Sequence, residues 1–406
     1  MNYSATPPWD KIHKAKSAIL NHDPKKSLLD TINNNREAFS GLRLLYASDH
    51  GGAPIQEKLT DSYVVPIFCG RGMLAFSDYI ENQMQRGIPA VTFKVRAIFD
   101  TNILSDLPSY FSGKQTPTRE KIKNTLKFIE DNFSRSADWT FPSLENLREA
   151  AKPNNPWPYI KVAAIRHFET SGLTPADADQ LEVHIPAAED QWSKWLAGND
   201  CWLQIRRRDL FYAVLLFAVV ERWKGVETHR ALGCLVNFCL DSFDTIPLKE
   251  IYFAWKLLKG SEPSDQLSIF SEPALLSPSK KSLSRISALA WDLFLFRWCE
   301  TLMTEMKDDN FFIPVITTLD EDLIGVIKAC PLRALLIDDA NGKVEAIFDD
   351  EIDFQKCLLN VFDKKMQEKI NNQERQQRSG RFSRYRLSFT INSLEQEICK
   401  MTKSGD

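Results

Sequence analysis

The sequence predicts an α/β protein, rich in helix, built on a parallel sheet flanked by helices. Two apolar, β-branched runs carry that expectation. "TFKVRAIF" (Thr92 to Phe99) and "FFIPVITTL" (Phe311 to Leu319) have strand length, and each is followed at once by an aspartate and a helix start. The third observation is the stretch between them, where apolar residues recur three or four apart over long segments, the period of a helix. The 406 residues, 43% hydrophobic, suffice for two to three domains or for one domain with large insertions.

From the N-terminus, "KKSLLDTINNNREAF" has helical spacing, and "SDHGGAP" is a loop by its Gly and Pro. "SYVVPIFC" (Ser62 to Cys69) and "AVTFKV" (Ala90 to Val95) read as strands. "TREKIKNTLKFIEDNF" sets Ile122, Leu126, Ile129 and Phe133 on one face of an amphipathic helix. Residues 138–200, with "KPNNPWPYI" and "EDQWSKWLAGND", predict an irregular or helical insertion with several breaks. Helices are expected at roughly 203–223, 228–242, 247–259 and 283–305. "GSEPSDQLSIFSEPALLSPSKKS" reads as a polar loop, and "EDLIGVIKA" as a helix. "RALLIDDANGKVEAIFDD" is a hairpin turning at Asn341-Gly342. A strand-like "RLSFTI" precedes a last helix. The expected organisation is a mixed α/β segment over 1–95, a domain over 96–350 with a helical insertion at about 110–240, and a basic segment over 351–406.

Composition removes several classes. A net charge of -3 offers no global field for nucleic acid, so polyanion contacts must come from local patches. "MNYSATPPWDKIHKAK" has no apolar core of a signal peptide, and the longest apolar run, Leu210 to Val220, is too short for a bilayer. A cytoplasmic protein without membrane contact is expected. The eight cysteines form no CxxC pair and read as free thiols; the six histidines do not cluster as zinc ligands. No GxxxxGK[ST] loop occurs, which argues against an ATPase.

Four carboxylates stand in positions where chemistry could use them. Asp100, in "AIFDTNILSDL", and Asp320 each follow a strand, and in a parallel sheet the carboxyl ends of strands open onto the ligand crevice. Either aspartate can also be a helix cap. Asp292 lies in the apolar "SALAWDLFLFRWCE", where an unpaired buried carboxylate costs several kcal/mol. Glu250 begins the helix entered through Pro247, and Glu221 is its rival as second acid. Acids gathered in one crevice repel unless hard cations lie between them. Oxygen-only ligation suits Mg²⁺ or Mn²⁺, and phosphodiester hydrolysis is the natural reaction class.

"FDTNILSDL" resembles the first motif of the PIN-domain nucleases, "AWDLFLFRWCE" the helix that brings their third acid, and "TTLDEDL" (Thr317 to Leu323) their closing motif, in the family's order. The resemblance rests on these short segments between 96 and 325 and requires a large insertion before Glu250. It implies Asp100, Glu250, Asp292 and Asp320 as metal-binding acids for Mg²⁺ or Mn²⁺. Asn102 and Thr318 would orient a carboxylate or phosphate. It further implies cleavage of RNA ahead of DNA, in a toxin or phage-defence setting, with a regulatory, antitoxin-like protein partner.

Basic residues offer a substrate path. Arg206, Arg207 and Arg208 form a patch or a solvated face, and "RQQRSGRFSRYRLSF" interleaves arginines with Phe382 and Tyr385, which suits single-stranded nucleic acid or an acidic protein. The alternative to a nuclease is a non-catalytic PIN-like interaction protein whose acids form an ion-pair network. A phosphatase with an Asp nucleophile ranks below both, because "FDTNI" lacks a second Asp two residues on.

Overall fold

The computed structural model describes residues 8–54, 59–87, 91–147, 157–260, 267–305, 310–371 and 384–404. The chain divides into two units, Met1–Lys194 with Phe296–Glu351, and Trp195–Leu295 with Ile352–Asp406. Along the chain, α1 (Pro8–Leu20), α2 (Leu28–Asn34) and α3 (Arg36–Phe39) precede β1 (Arg43–Ser48), β2 (Val64–Pro66) and β3 (Gly72–Phe76). Next come α4 (Asp78–Gln85), β4 (Thr92–Phe99), α5 (Thr101–Phe111), α6 (Arg119–Phe133), β5 (Ala137–Asp138) and α7 (Thr140–Glu145). Then follow α8 (Trp157–Ser171), α9 (Ala178–Glu182) and α10 (Ile185–Ala197). The second unit takes up α11 (Asn199–Trp223), α12 (Thr228–Phe243), α13 (Leu248–Lys259), α14 (Pro273–Leu276) and α15 (Ser282–Met303) as far as Leu295. β6 (Asn310–Thr317), α16 (Glu321–Ala329), β7 (Leu332–Asp338) and β8 (Lys343–Phe348) complete the first unit. α17 (Glu351–Val361), from its second residue on, α18 (Lys364–Asn371) and α19 (Arg384–Ser404) complete the second.

The general class is α/β and helix-rich, with two small sheets in the first unit. One sheet, ordered β3-β1-β7-β8, is antiparallel throughout. Its central β1 is buried along its whole length, and Ile12, Phe39, Leu44 and Leu336 share one apolar cluster beneath α1 to α3. The Asn341-Gly342 hairpin forms as the sequence predicts, with Gly342 at φ +60°. The other sheet, ordered β2-β6-β4-β5, is mixed. β4 runs parallel to β5 and β6, and the short β2 lies antiparallel at the edge. Burial deepens along β4: Thr92 and Lys94 are exposed, whereas Ala97, Ile98 and Phe99 are wholly buried. The strand therefore enters the core at its carboxyl end, which puts Asp100 at the margin of that core.

In the second unit α11 is apolar on most faces, as "LFYAVLLFAVV" requires, and a helix of that kind must be covered. α12, α13, α14 and α19 pack on it. The four helices expected between 203 and 305 appear within a few residues of their predicted bounds.

Three expectations are corrected. "SYVVPIFC" keeps only Val64–Pro66 as strand. "RLSFTI" is helical and lies within α19, because Leu387, Leu394 and Ile398, spaced by seven and four, form a buried helical stripe. The segment 260–282 is more than a polar loop: Ile269, Phe270 and Leu275 are buried, the first two in a 3₁₀ turn and the last in α14. The region expected as an insertion, about 110–240, divides between the units, and its first part supplies β5 to the mixed sheet.

Candidate functional site

The pairing of β4 with β6 builds the site. Phe99 lies opposite Thr317 in the parallel register, so the next residues, Asp100 and Thr318, emerge side by side. Asp100 N donates to Thr317 O at 2.9 Å. The Thr318 hydroxyl donates to Asp100 Oδ2 at 2.8 Å and accepts from Asp320 N at 3.0 Å. One buried hydroxyl thus ties both strand-end aspartates into a single turn. Thr318 N donates to Tyr63 O at 3.0 Å, which fixes the turn from the other side.

Both aspartates also cap helices. Asp100 Oδ1 accepts from Thr101 N at 2.7 Å at the start of α5. Asp320 Oδ1 accepts from Asp322 N at 2.9 Å and Leu323 N at 3.1 Å at the start of α16. The cap and ligand readings left open by the sequence are compatible, since a carboxylate has lone pairs to spare beyond these bonds. Burial pushes the Asp100 carboxyl above its ordinary value. The Thr318 hydroxyl and the Thr101 amide pull against that rise, and the Asp320 charge adds to it. The Asn102 side chain is exposed beside the site.

Two acids that sequence reasoning missed lie near this sheet edge. The Thr101 hydroxyl donates to Glu145 Oε2, bringing the last residue of α7 to the first residue of α5. "ADWTFPSLENL" carries only a faint sign of Glu145, an acid on a short apolar helix behind a two-residue strand. Asp138, at the end of β5, is buried and already engaged. Its Oδ1 accepts from Thr140 Oγ1 at 2.7 Å and Trp298 Nε1 at 3.4 Å, and Arg96 stands 3.7 Å from Oδ2. It serves as an internal anchor.

Glu250 and Asp292 belong to the second unit, Asp100 and Asp320 to the first. Glu250 is buried in the first turn of α13, and its charge adds to the burial that raises the Cys239 thiol. Asp292 is half-buried in α15. The rival Glu221 is buried on α11 and pairs with Lys224 at 3.0 Å. Arg208 lies inside the second unit, where it donates to Ser287 O at 2.9 Å and stacks over Tyr212 and Trp291. Arg206 and Arg207 are half-buried. Arg375, Arg378, Arg381 and Phe382 lie outside the described residues. Among the described residues no group of three or more His, Cys, Asp or Glu side chains is placed to hold a metal ion, and no helix is long and apolar enough to cross a membrane. Comparison with family models, curated proteins and solved structures gives no match.

Proposed function

We propose that the chain is a metal-dependent nuclease of PIN-like architecture that hydrolyses phosphodiester bonds, of RNA ahead of DNA. The observation that carries this reading is the Thr318 hydroxyl, which joins Asp100 to the backbone of Asp320 at neighbouring parallel strand ends. The donors are all hard oxygens, and Mg²⁺ is commonly held by one or two carboxylates, with waters and substrate phosphates completing its shell. Asp100 and Asp320 suit that mode and would hold Mg²⁺ or Mn²⁺. Glu250 and Asp292 remain metal-binding candidates through the resemblance alone. When bound, such an ion neutralises phosphate oxygens and lowers the pKa of a water.

The chain's own residues prepare the site. Thr318 fixes the Asp100 carboxylate, and the N-termini of α5 and α16 contribute partial positive charge beside both acids. Asn102, which is exposed, would contact substrate, and Arg206 and Arg207 are proposed as more distant phosphate contacts. A cytoplasmic toxin or phage-defence setting, with an antitoxin-like regulator, rests on analogy to the family.

The test is incubation of the wild type with labelled RNA, single-stranded DNA and duplex DNA, in Mn²⁺ or EDTA, beside Asp100→Asn. Cleavage is expected only for the wild type in Mn²⁺. Equal cleavage by Asp100→Asn refutes the site, and cleavage in EDTA refutes the metal. A second reading, a non-catalytic interaction protein, is favoured by Tyr385 and Phe389, four residues apart on α19 and 82% and 66% exposed. Absence of cleavage together with capture of a defined protein partner would select it.

A further inference from the structure

A cavity opens in the first unit at the carboxyl end of β1. Its volume is about 410 Å³, within the range of roughly 300–1,000 Å³ typical of small-molecule pockets. Buried Tyr46 and Leu28 line its inner side, while exposed Lys25, Lys26 and His50 line its outer side. His22 packs edge-on against Tyr46, with ring centroids 5.6 Å apart, and its Nδ1 is engaged by Thr31 Oγ1 at 2.8 Å.

His22 and the loop backbones are held in place there, while the Lys25 and Lys26 side chains are exposed. Tyr46 is only 6% exposed, yet its hydroxyl has no hydrogen-bond partner among the described residues. That hydroxyl stays open to the cavity, where it can donate to a ligand acceptor. Lys25 and Lys26 have no carboxylate partner among the described residues, and their loop is turned by Lys25 N donating to Asp23 Oδ1 at 3.0 Å. Ser48 pins the opposite loop: its hydroxyl donates to His50 O at 2.6 Å and accepts from His50 N at 3.1 Å. The acid lining the cavity, Asp49, is paired with Arg333 at 3.1 Å. The two lysines add local positive charge beside the Asp23 and Asp49 carboxylates, in a chain whose net charge is -3.

We propose that this cavity binds a small ligand bearing a phosphomonoester, with the Lys25 and Lys26 ammonium groups and the Tyr46 hydroxyl as donors. Two ammonium groups match a dianion better than a single carboxylate. The volume exceeds that of phosphate alone, and Leu28 and Leu74 offer an apolar wall for an organic remainder such as a nucleoside. The assignment does not depend on the role of Asp100.

Calorimetric titration of the full chain with inorganic phosphate, AMP and adenosine tests it. Phosphate and AMP bind and adenosine does not. Tighter binding of AMP identifies an organic phosphate as the ligand, and equal affinity identifies the phosphate group as all that is recognised. Lys25→Gln with Lys26→Gln weakens AMP binding by about tenfold or more, and Tyr46→Phe, which deletes only the hydroxyl, by about three- to tenfold. Absence of binding by both phosphate and AMP at millimolar concentration overturns the proposal. So does adenosine binding as tightly as AMP, or AMP affinity unchanged in both variants.

Discussion

Thr318 is the residue on which the strand-end turn depends. Its hydroxyl serves a buried carboxylate and a backbone amide at once. Thr318→Val keeps the shape and removes both bonds, so it lowers stability by about 1–3 kcal/mol, while Thr318→Ser retains most of it. The urea midpoint falls for the valine variant with an unchanged slope. The thiols differ as sharply. All eight cysteines are free; Cys399 is exposed, whereas burial pushes the Cys69 thiol up to about 12. Iodoacetamide at neutral pH therefore labels Cys399 long before Cys69, as peptide mass spectrometry reads. At this scale Asp100 and Asp320 were legible in the sequence, because each follows a strand run directly. Glu145 was not: its link to Thr101 spans 44 positions, and only the fold closes that distance.

Among elements, α1 is fastened by one buried cation. Lys16 Nζ stands 2.8 Å from Glu345 on β8 and 2.6 Å from Glu351 at the start of α17. Burial opposes the Lys16 charge, but the two glutamates outweigh it, and its pKa is raised above 10.5. The stabilisation is fully present below the ordinary lysine value and is lost only as pH rises through the raised one. Lys16→Met leaves two carboxylates short of their cation and costs about 3–5 kcal/mol at neutral pH, read from urea unfolding. Elements with a clear period were legible: the apolar stripe of α6 and the Asn-Gly hairpin stand where the pattern puts them. "RLSFTI" misled because a six-residue apolar-polar alternation is too short to separate strand from helix. Only its continuation to Leu394 and Ile398 reveals the helical stripe.

For the whole molecule, chain order does not follow the units, since each unit draws on two separate stretches. Composition along the chain carried no trace of this, because membership is decided by which faces pack and not by local pattern. α19 joins the second unit by packing on α11 and through Arg386, 2.7 Å from Asp244. Truncation after residue 371 removes Leu387, Leu394 and Ile398 from that core. Each such side chain contributes about 1.5–3 kcal/mol. The truncated chain therefore loses helical signal in far-ultraviolet circular dichroism beyond the share of the deleted residues, because α11 loses its cover.

Asp100 and Asp320 are proposed to form one hard-cation site. Electron paramagnetic resonance of free Mn²⁺ during titration of the wild type, Asp100→Asn and Asp320→Asn measures this directly. The wild type should deplete free Mn²⁺ by one or two equivalents, and each substitution should abolish that depletion while leaving the circular dichroism spectrum intact. Equal Mn²⁺ binding by all three folded proteins would contradict the claim.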